Sequence, residues 1–466
     1  MISNRSRYRV VLLSFMVAGL MLTASPRRAR AETLVDLKTL YYIEDGNRIE
    51  VIAPMAAFQT ETGDGLTIRL EGIYNSISGA TPTGAPLVGG TKSASVAPVV
   101  IVKKPKPVIP DDGGDDDGGE DQEENDKGNR VRRPATINAL SSHSPVSAQA
   151  FNSLSGATPP VPPVPPTPTP TPGKKGTTVP AATTPASTGG KLPVANFEDT
   201  REAATLDLSY RTGRHTPGIA LSYSQESDYL SRGVALKDAI DFNKKNTTLL
   251  VGVAGTFDDV RPANGLPDDT KTTYDLMVGV TQVLDPLTLL TINGTIGRTE
   301  GFLSDPYKVV EMNGALAQEK RPDSRDKQIL FGSLVRYVEA LDGSLESSYR
   351  FYNDSFGVQA HTLTLAWYQK LGPQWMVRPL LRYYTQSEAD FYAVRFTGSP
   401  HYYSSDYRNS QMSSLGGGLK VIWTPNSRIS LDVAYERYEQ WGLDNVTPDE
   451  LYPSANIIMV GLRLWF

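Results

Sequence analysis

The chain has 466 residues, no cysteine, 40 glycines, 34 prolines and 22 tyrosines, with 39% hydrophobic residues and a formal net charge of −5. The absence of cysteine excludes a disulfide scaffold, thiol catalysis, cysteine-ligated metals and a lipidated cysteine. The modest acidic balance leaves no electrostatic footprint for nucleic acid. Few hydrophobics alongside much Tyr and Gly suit barrel strands that keep one face in lipid and the other wet.

At the start of the chain, Arg5, Arg7 and Arg9 precede an apolar stretch over 10–24, and Ala29-Arg30-Ala31 follows it as a small-x-small site. This reads as a signal peptide over 1–31 with the mature chain starting at Glu32, the other reading being an uncleaved inner-membrane helix. No other stretch approaches 18 consecutive apolar residues, so a mature membrane protein built from this chain must be a closed barrel.

Residues 32–78 carry the first strand patterns. Residues 79–195 do not. That insert contains ten carboxylates within 111–126, then Arg130, Arg132 and Arg133, then the proline track TPPVPPVPPTPTPTP over 158–172. Such a segment buries too little apolar surface to offset its ordering entropy, and the track favours polyproline II, so disorder is expected. NSISGATP at 75–82 returns as NSLSGATP at 152–159, a local duplication that lengthened an existing loop. The acidic run lacks the spaced ligands and turn glycine of a calcium loop and reads as a solvated segment.

From 196 to the last residue, strand patterns recur. Leu206, Leu208 and Tyr210 alternate with Asp207 and Arg211; Tyr274, Leu276, Val278 and Val280 with Asp275 and Met277; Leu345, Tyr349 and Phe351 with Glu346 and Arg350. Further on, Leu415, Leu419, Val421 and Trp423 alternate with Lys420, Ile429, Leu431, Val433 and Tyr435 with Asp432 and Glu436, and Ile458, Val460, Leu462 and Leu464 with Arg463. Successive side chains on a strand point to opposite faces, so each run has an apolar stripe and a mixed stripe. A charged row on every inward face is foreign to a dry sandwich core. Short turns at 63–65, 213–216, 244–246, 285–286, 342–343, 372–373 and 425–427 interleave with longer polar loops at 79–195, 260–270, 301–325, 389–410 and 441–454, matching short periplasmic turns and long external loops. The count is sixteen strands, within a range of fourteen to eighteen, with both termini periplasmic and the insert as second external loop. Tyr383, Tyr384, Trp367, Trp375, Trp423, Tyr435, Tyr438 and Trp465 lie near strand ends, where amphipathic rings favour the headgroup level. The fold expected is an all-β antiparallel transmembrane barrel with a long disordered external loop.

Several loop and strand motifs occur in order: QESDY at 225–229, FDDV at 257–260, GFLSDPYK at 301–308, RPDSRD at 321–326, RYYTQSEADFY at 382–392 and SSDYR at 404–408. Through them the chain resembles a bacterial family known only as domain of unknown function 3570, across nearly all of 32–78 and 196–466. The resemblance implies an outer-membrane-like barrel of uncharacterised role and supplies no catalytic residues; the insert is longer than such proteins usually carry. The terminal Phe466 on an alternating strand resembles the signal by which outer-membrane barrels are recognised by the barrel-assembly machinery.

Two constellations stand out. Asp305, Tyr307, Asp390, Tyr392, Asp406 and Arg408 fall at strand ends on the same predicted side; they form either an external mouth gripping a ligand or Ca²⁺, or a polar network that fixes the loops. Arg350, Arg378, Arg382, Lys420, Asp432 and Glu436, with Arg69, Glu71, Asp207, Arg211, Asp275, Glu346 and Arg463, are expected to point into the lumen. There they would set a transverse field that filters solutes, or fill a closed interior with salt bridges. About sixteen strands enclose a bore wide enough for water unless loops plug it. The four histidines lie in no HExxH context, and no GxSxG, Walker or GxGxxG motif occurs, so no enzyme, cofactor or metal is expected. Three functions remain: a porin-like channel for small solutes, a non-conducting structural or surface-interaction barrel, and an outer-membrane partner of a periplasmic system.

Overall fold

The computed structural model describes residues 32–84 and 194–466. The segments 1–31 and 85–193, with the expected signal peptide, most of the insert and the second copy of the duplicated octapeptide, lie outside the described residues.

The strands are β1 (Glu32–Glu44), β2 (Ile49–Glu61), β3 (Leu66–Pro82), β4 (Val194–Tyr210), β5 (His215–Gln225), β6 (Tyr229–Phe242), β7 (Thr247–Val260), β8 (Asp269–Asp285), β9 (Thr288–Gly301), β10 (Val309–Met312), β11 (Ala315–Gln318), β12 (Ser324–Val338), β13 (Gly343–Asp354), β14 (Gln359–Lys370), β15 (Trp375–Gln386), β16 (Arg395–Phe396), β17 (Met412–Asn426), β18 (Ile429–Gly442) and β19 (Ser454–Trp465). Sixteen of them close into an antiparallel barrel, and the seam is the pairing of β1 with β19, from Leu34↔Trp465 to Glu44↔Ala455. Closure leaves no edge N–H or C=O facing lipid, which a spanning sheet requires. Among the described residues no helix is long and apolar enough to cross a membrane.

Alternation sets the two faces. Leu276, Val278 and Val280 point outward and are exposed, while their neighbours Asp275 and Met277 point inward and are buried. The outward band recurs at Ile296 (57% exposed), Val433 (53%) and Val460 (50%). An apolar belt of this extent around a closed barrel is a lipid-facing surface. The even strand number puts both ends of the barrel at one rim, the terminal rim, with the turns of two to four residues between β2 and β3, β4 and β5, β8 and β9 and β17 and β18. The long connections gather at the opposite, loop rim.

The structure departs from the sequence expectation in three places. β3 and β4 run past the assigned insert boundary and stay paired to Pro82↔Val194, because the extended NSISGATP continues the ladder rather than opening a loop. Tyr384 and Tyr438 do not join an aromatic belt; both are buried on the inner wall, since strand alternation turns Tyr384 away from the outward Tyr383 and Tyr438 away from Arg437. Trp375 and Trp423 do face out at the terminal rim, stacked at 5.8 Å. Finally, the loops at 302–323 and 387–411 contain strands: β10 pairs with β11, and β16 joins β10 in parallel at Glu311↔Arg395.

Candidate functional site

The site is built from the two long loops at the loop rim and the inner wall beneath them. Loop 302–323 leaves β9 and reaches β3, six strands away round the wall. The Val309 amide donates to the Thr83 carbonyl at 2.9 Å, and the buried Lys308 ammonium donates to the Pro82 carbonyl. On the way, the Tyr307 hydroxyl donates to Asp228 and accepts the Ala263 amide at 3.0 Å, and the Asn264 side-chain amide donates to the Pro306 carbonyl at 2.6 Å. Loop 387–411 folds down the other side. Phe391 meets Phe356 edge-on at 4.9 Å, in a cluster with the inward-facing Ile329, Tyr352 and Tyr384. The Tyr392 hydroxyl bonds Thr447 at 2.6 Å, and Tyr407 packs on Tyr452. The two loops therefore cross the mouth from different arcs and meet over it.

Where they meet, six charges balance. Arg321 pairs with Glu319 at 2.8 Å and with Asp406 at 2.9 Å; Arg408 pairs with Asp305 at 2.6 Å and with Asp406; Lys308 attracts Asp406 from beyond ion-pair distance. The Ser404 hydroxyl donates to Glu319 at 2.6 Å, and the Gln318 amide ties together the carbonyls of Asp305, Pro306 and Lys308. Burial alone would raise the Asp406 carboxyl, but Arg408, Lys308 and Arg321 outweigh it and hold that carboxyl well below the usual range. Burial pushes the Lys308 ammonium down and, against Arg321, the Glu319 carboxyl up. Buried ions are tolerated here because each has an opposite charge and further hydrogen bonds.

Of the loop residues expected from sequence, Asp305, Tyr307, Asp406 and Arg408 come together. Asp390 and Tyr392 do not join them. The Asp390 carboxylate instead sits against Gly357, where an added Cβ would lie 2.4 Å from its oxygen at a backbone φ of +87°. Lys308, Glu319 and Arg321 were missed as site residues; in the sequence they read as ordinary polar loop, and only the flanking Val309-Val310 hints at burial.

Beside this network, carboxylate oxygens of Asp199, Glu226 and Asp228 lie within 4.8 Å of one another, the one such group among the described residues. Arg201 approaches Glu226 at 3.6 Å. Burial first, then repulsion by Asp199 and Asp228, against attraction by Arg201 and Lys271, pushes the Glu226 carboxyl up to about 7. A proton on Glu226 thus relieves the repulsion. In an unfolded chain Glu226 titrates near 4.5, so the stability linked to this proton is full below that value and is lost as pH rises through about 7. Amide exchange at 226–228 is expected to quicken between pH 5.5 and 8.5 after correction for intrinsic chemistry, and Glu226→Gln should flatten the dependence. A flat wild-type profile would show that Glu226 stays ionised.

Below the mouth the inner-wall charges lie flat. Lys420 pairs with Asp432 at 3.1 Å, Arg463 with Asp36 at 2.6 Å and Lys327 with Asp275 at 2.9 Å; Lys237 pairs with Asp207. Asp275 and Lys327 face each other over Gly297 of the intervening strand, where any Cβ would collide with the carboxylate at 1.9 Å. These pairs join neighbouring and next-neighbouring strands, so their opposite charges meet along the wall. Glu436 lies over Gly418, while among the described residues Arg350, Arg378 and Arg382 make no ion pair.

Several solved structures are similar to this chain. The siderophore receptor PirA from Pseudomonas aeruginosa is 9% identical with a TM-score of 0.37, the match covering 94% of this chain and 62% of that one. CdiB from Acinetobacter baumannii is 7% identical at 0.42, covering 93% and 60%, and the outer membrane protein opdK from Pseudomonas aeruginosa is 9% identical at 0.36, covering 94% and 99%. The chain thus spans less than two thirds of the length of PirA and of CdiB. No curated protein matches it. The closed barrel and the ordered loop motifs agree with the match of a family model over residues 10–269 and 263–462: the chain belongs to the family described as protein of unknown function, DUF3570.

Proposed function

We propose that this protein is a gated pore for small solutes in a Gram-negative outer membrane, closed at rest by the two crossed loops. Export by the segment 1–31, external placement of the loop rim, and recognition of Phe466 by the barrel-assembly machinery belong to the same proposal, as do lipid contact around the belt and the absence of any reaction. The observation that carries it is the joining of the two loops at the mouth. The loops are held together by ion pairs and hydrogen bonds above a wall of charged, ion-paired side chains. A permanently closed barrel has no need of so polar a bore, and ion pairs can be exchanged for water more readily than an apolar core.

Single-channel recording of the full chain in planar bilayers tests this. The wild type should be mostly closed with brief steps, and Arg321→Gln should raise the open probability at least tenfold. Silence from both proteins, with protease able to cut 387–411 in the variant alone, would favour the second reading. In that reading the sealed mouth makes the barrel a non-conducting surface-interaction protein.

A further inference from the structure

Among the described residues, four inner-wall aspartates are matched by cations, while one sector gathers arginines without ion pairs. Asp207, Asp275, Asp432 and Asp36 each have a cation in contact. On β13 and β15, Arg350, Arg378 and Arg382 all face inward, and among the described residues none has a carboxylate oxygen within 4.0 Å. Arg378 is directly opposite a second cation, Lys420 of β17, an arrangement that is unfavourable between bare charges. Arg350 and Arg382 flank β14 at Thr362 and Thr364, and Arg350 is a repulsive electrostatic neighbour of Arg382. Of the nearby acids, Glu346 accepts from the Tyr368 hydroxyl at 2.9 Å, and Glu436, lying along Gly418, attracts Arg382 without coming within ion-pair distance.

Two donors in this sector, Arg350 Nη2 and Arg378 Nε, are buried with no acceptor. Unmatched atoms also occur on Asp275, Asp432 and Arg463, but those groups are ion-paired; among the described residues Arg350 has no ion-pair partner. Arg378 has only the ring and hydroxyl of Tyr368, its guanidinium 5.1 Å from the ring centroid. A buried guanidinium donor without an acceptor costs free energy that a bound acceptor would return. The forked geometry of guanidinium matches carboxylate and phosphate oxygens in particular.

We propose that Arg350, Arg378 and Arg382 form an oxyanion-binding patch on the inner wall, for small solutes that carry a carboxylate or phosphate group. This deepens the pore reading by naming the class of solute, and the two can fail separately.

The test is equilibrium dialysis of the full chain in detergent micelles against labelled inorganic phosphate and, separately, succinate, with resistance to sodium dodecyl sulfate before heating as the check that each barrel is folded. Saturable binding of at least one probe is expected. It should weaken tenfold or more in Arg350→Gln/Arg382→Gln and several-fold in Arg382→Lys, which keeps the charge but loses the fork. It should be unchanged in Arg437→Gln, which removes an outward-facing rim charge paired with Asp45. Tighter binding of phosphate than succinate would identify phosphate esters as the solutes, and the reverse order carboxylates. No saturable binding, or equal weakening in Arg437→Gln, would overturn the patch. Binding by a protein that never conducts would leave the patch standing and remove the pore; conductance without binding would do the opposite.

Discussion

Replacing Asp406 with asparagine is expected to release the mouth and leave the barrel standing. Asp406 is fully buried and touches both Arg321 and Arg408, which come from different loops. Its charge holds two guanidinium groups in place at once. Asparagine keeps the size and removes the charge, so the cluster of six goes from balanced to one cation in excess. Breaking a buried ion pair from one side costs about 3–5 kcal/mol, because the remaining charge stays desolvated. That corresponds to roughly a hundredfold or greater rise in local opening. It should appear as faster amide exchange across 387–411 and as protease cuts there, while unfolding of the barrel in detergent changes little. The acid response follows from the depressed Asp406 carboxyl: its contribution is full above the ordinary value of 3.8 and declines progressively as pH falls below it toward the depressed value. If Asp406→Asn exchanges at the wild-type rate, the network does not hold the mouth.

Val433→Arg is the second large effect, and it acts on the barrel instead of the loops. Val433 faces outward within β18, paired with Val421 and Val460 on either side. An arginine on the lipid face near the bilayer midplane costs about 2–4 kcal/mol, falling toward zero at the interfaces. Chemical unfolding of the protein refolded into vesicles should show that loss, and a value under about 1 kcal/mol would place Val433 at the interface, outside the hydrocarbon.

How far the sequence could be read depends on whether a contact is local. The alternation of Ile458 and Val460 against Arg463 needs only neighbours, so faces, strand number and the short turns were legible. The inward direction of Arg350, Lys420 and Asp432 was legible for the same reason. Their pairing was not, because it depends on register across strands. Asp275 meets Lys327 only because β9 presents Gly297 between them. The mouth was least legible. Arg408 finds Asp305 across 103 positions and Arg321 finds Asp406 across 85, distances at which a polar loop carries no periodic signal. Tyr384 and Tyr438 were misread because aromatic position near a strand end was weighed above the parity that turns each of them inward.

The Asp275–Gly297–Lys327 staple has a consequence for assembly. It ties together strands that are not neighbours, so it can form only when two separate ladders are both in alignment. A one-residue slip of either ladder would swing a carboxylate or an ammonium from the bore into hydrocarbon, and would set a side chain where only glycine fits. Misaligned barrels are thereby penalised twice, by solvation and by collision. The inner wall in this way proofreads its own construction.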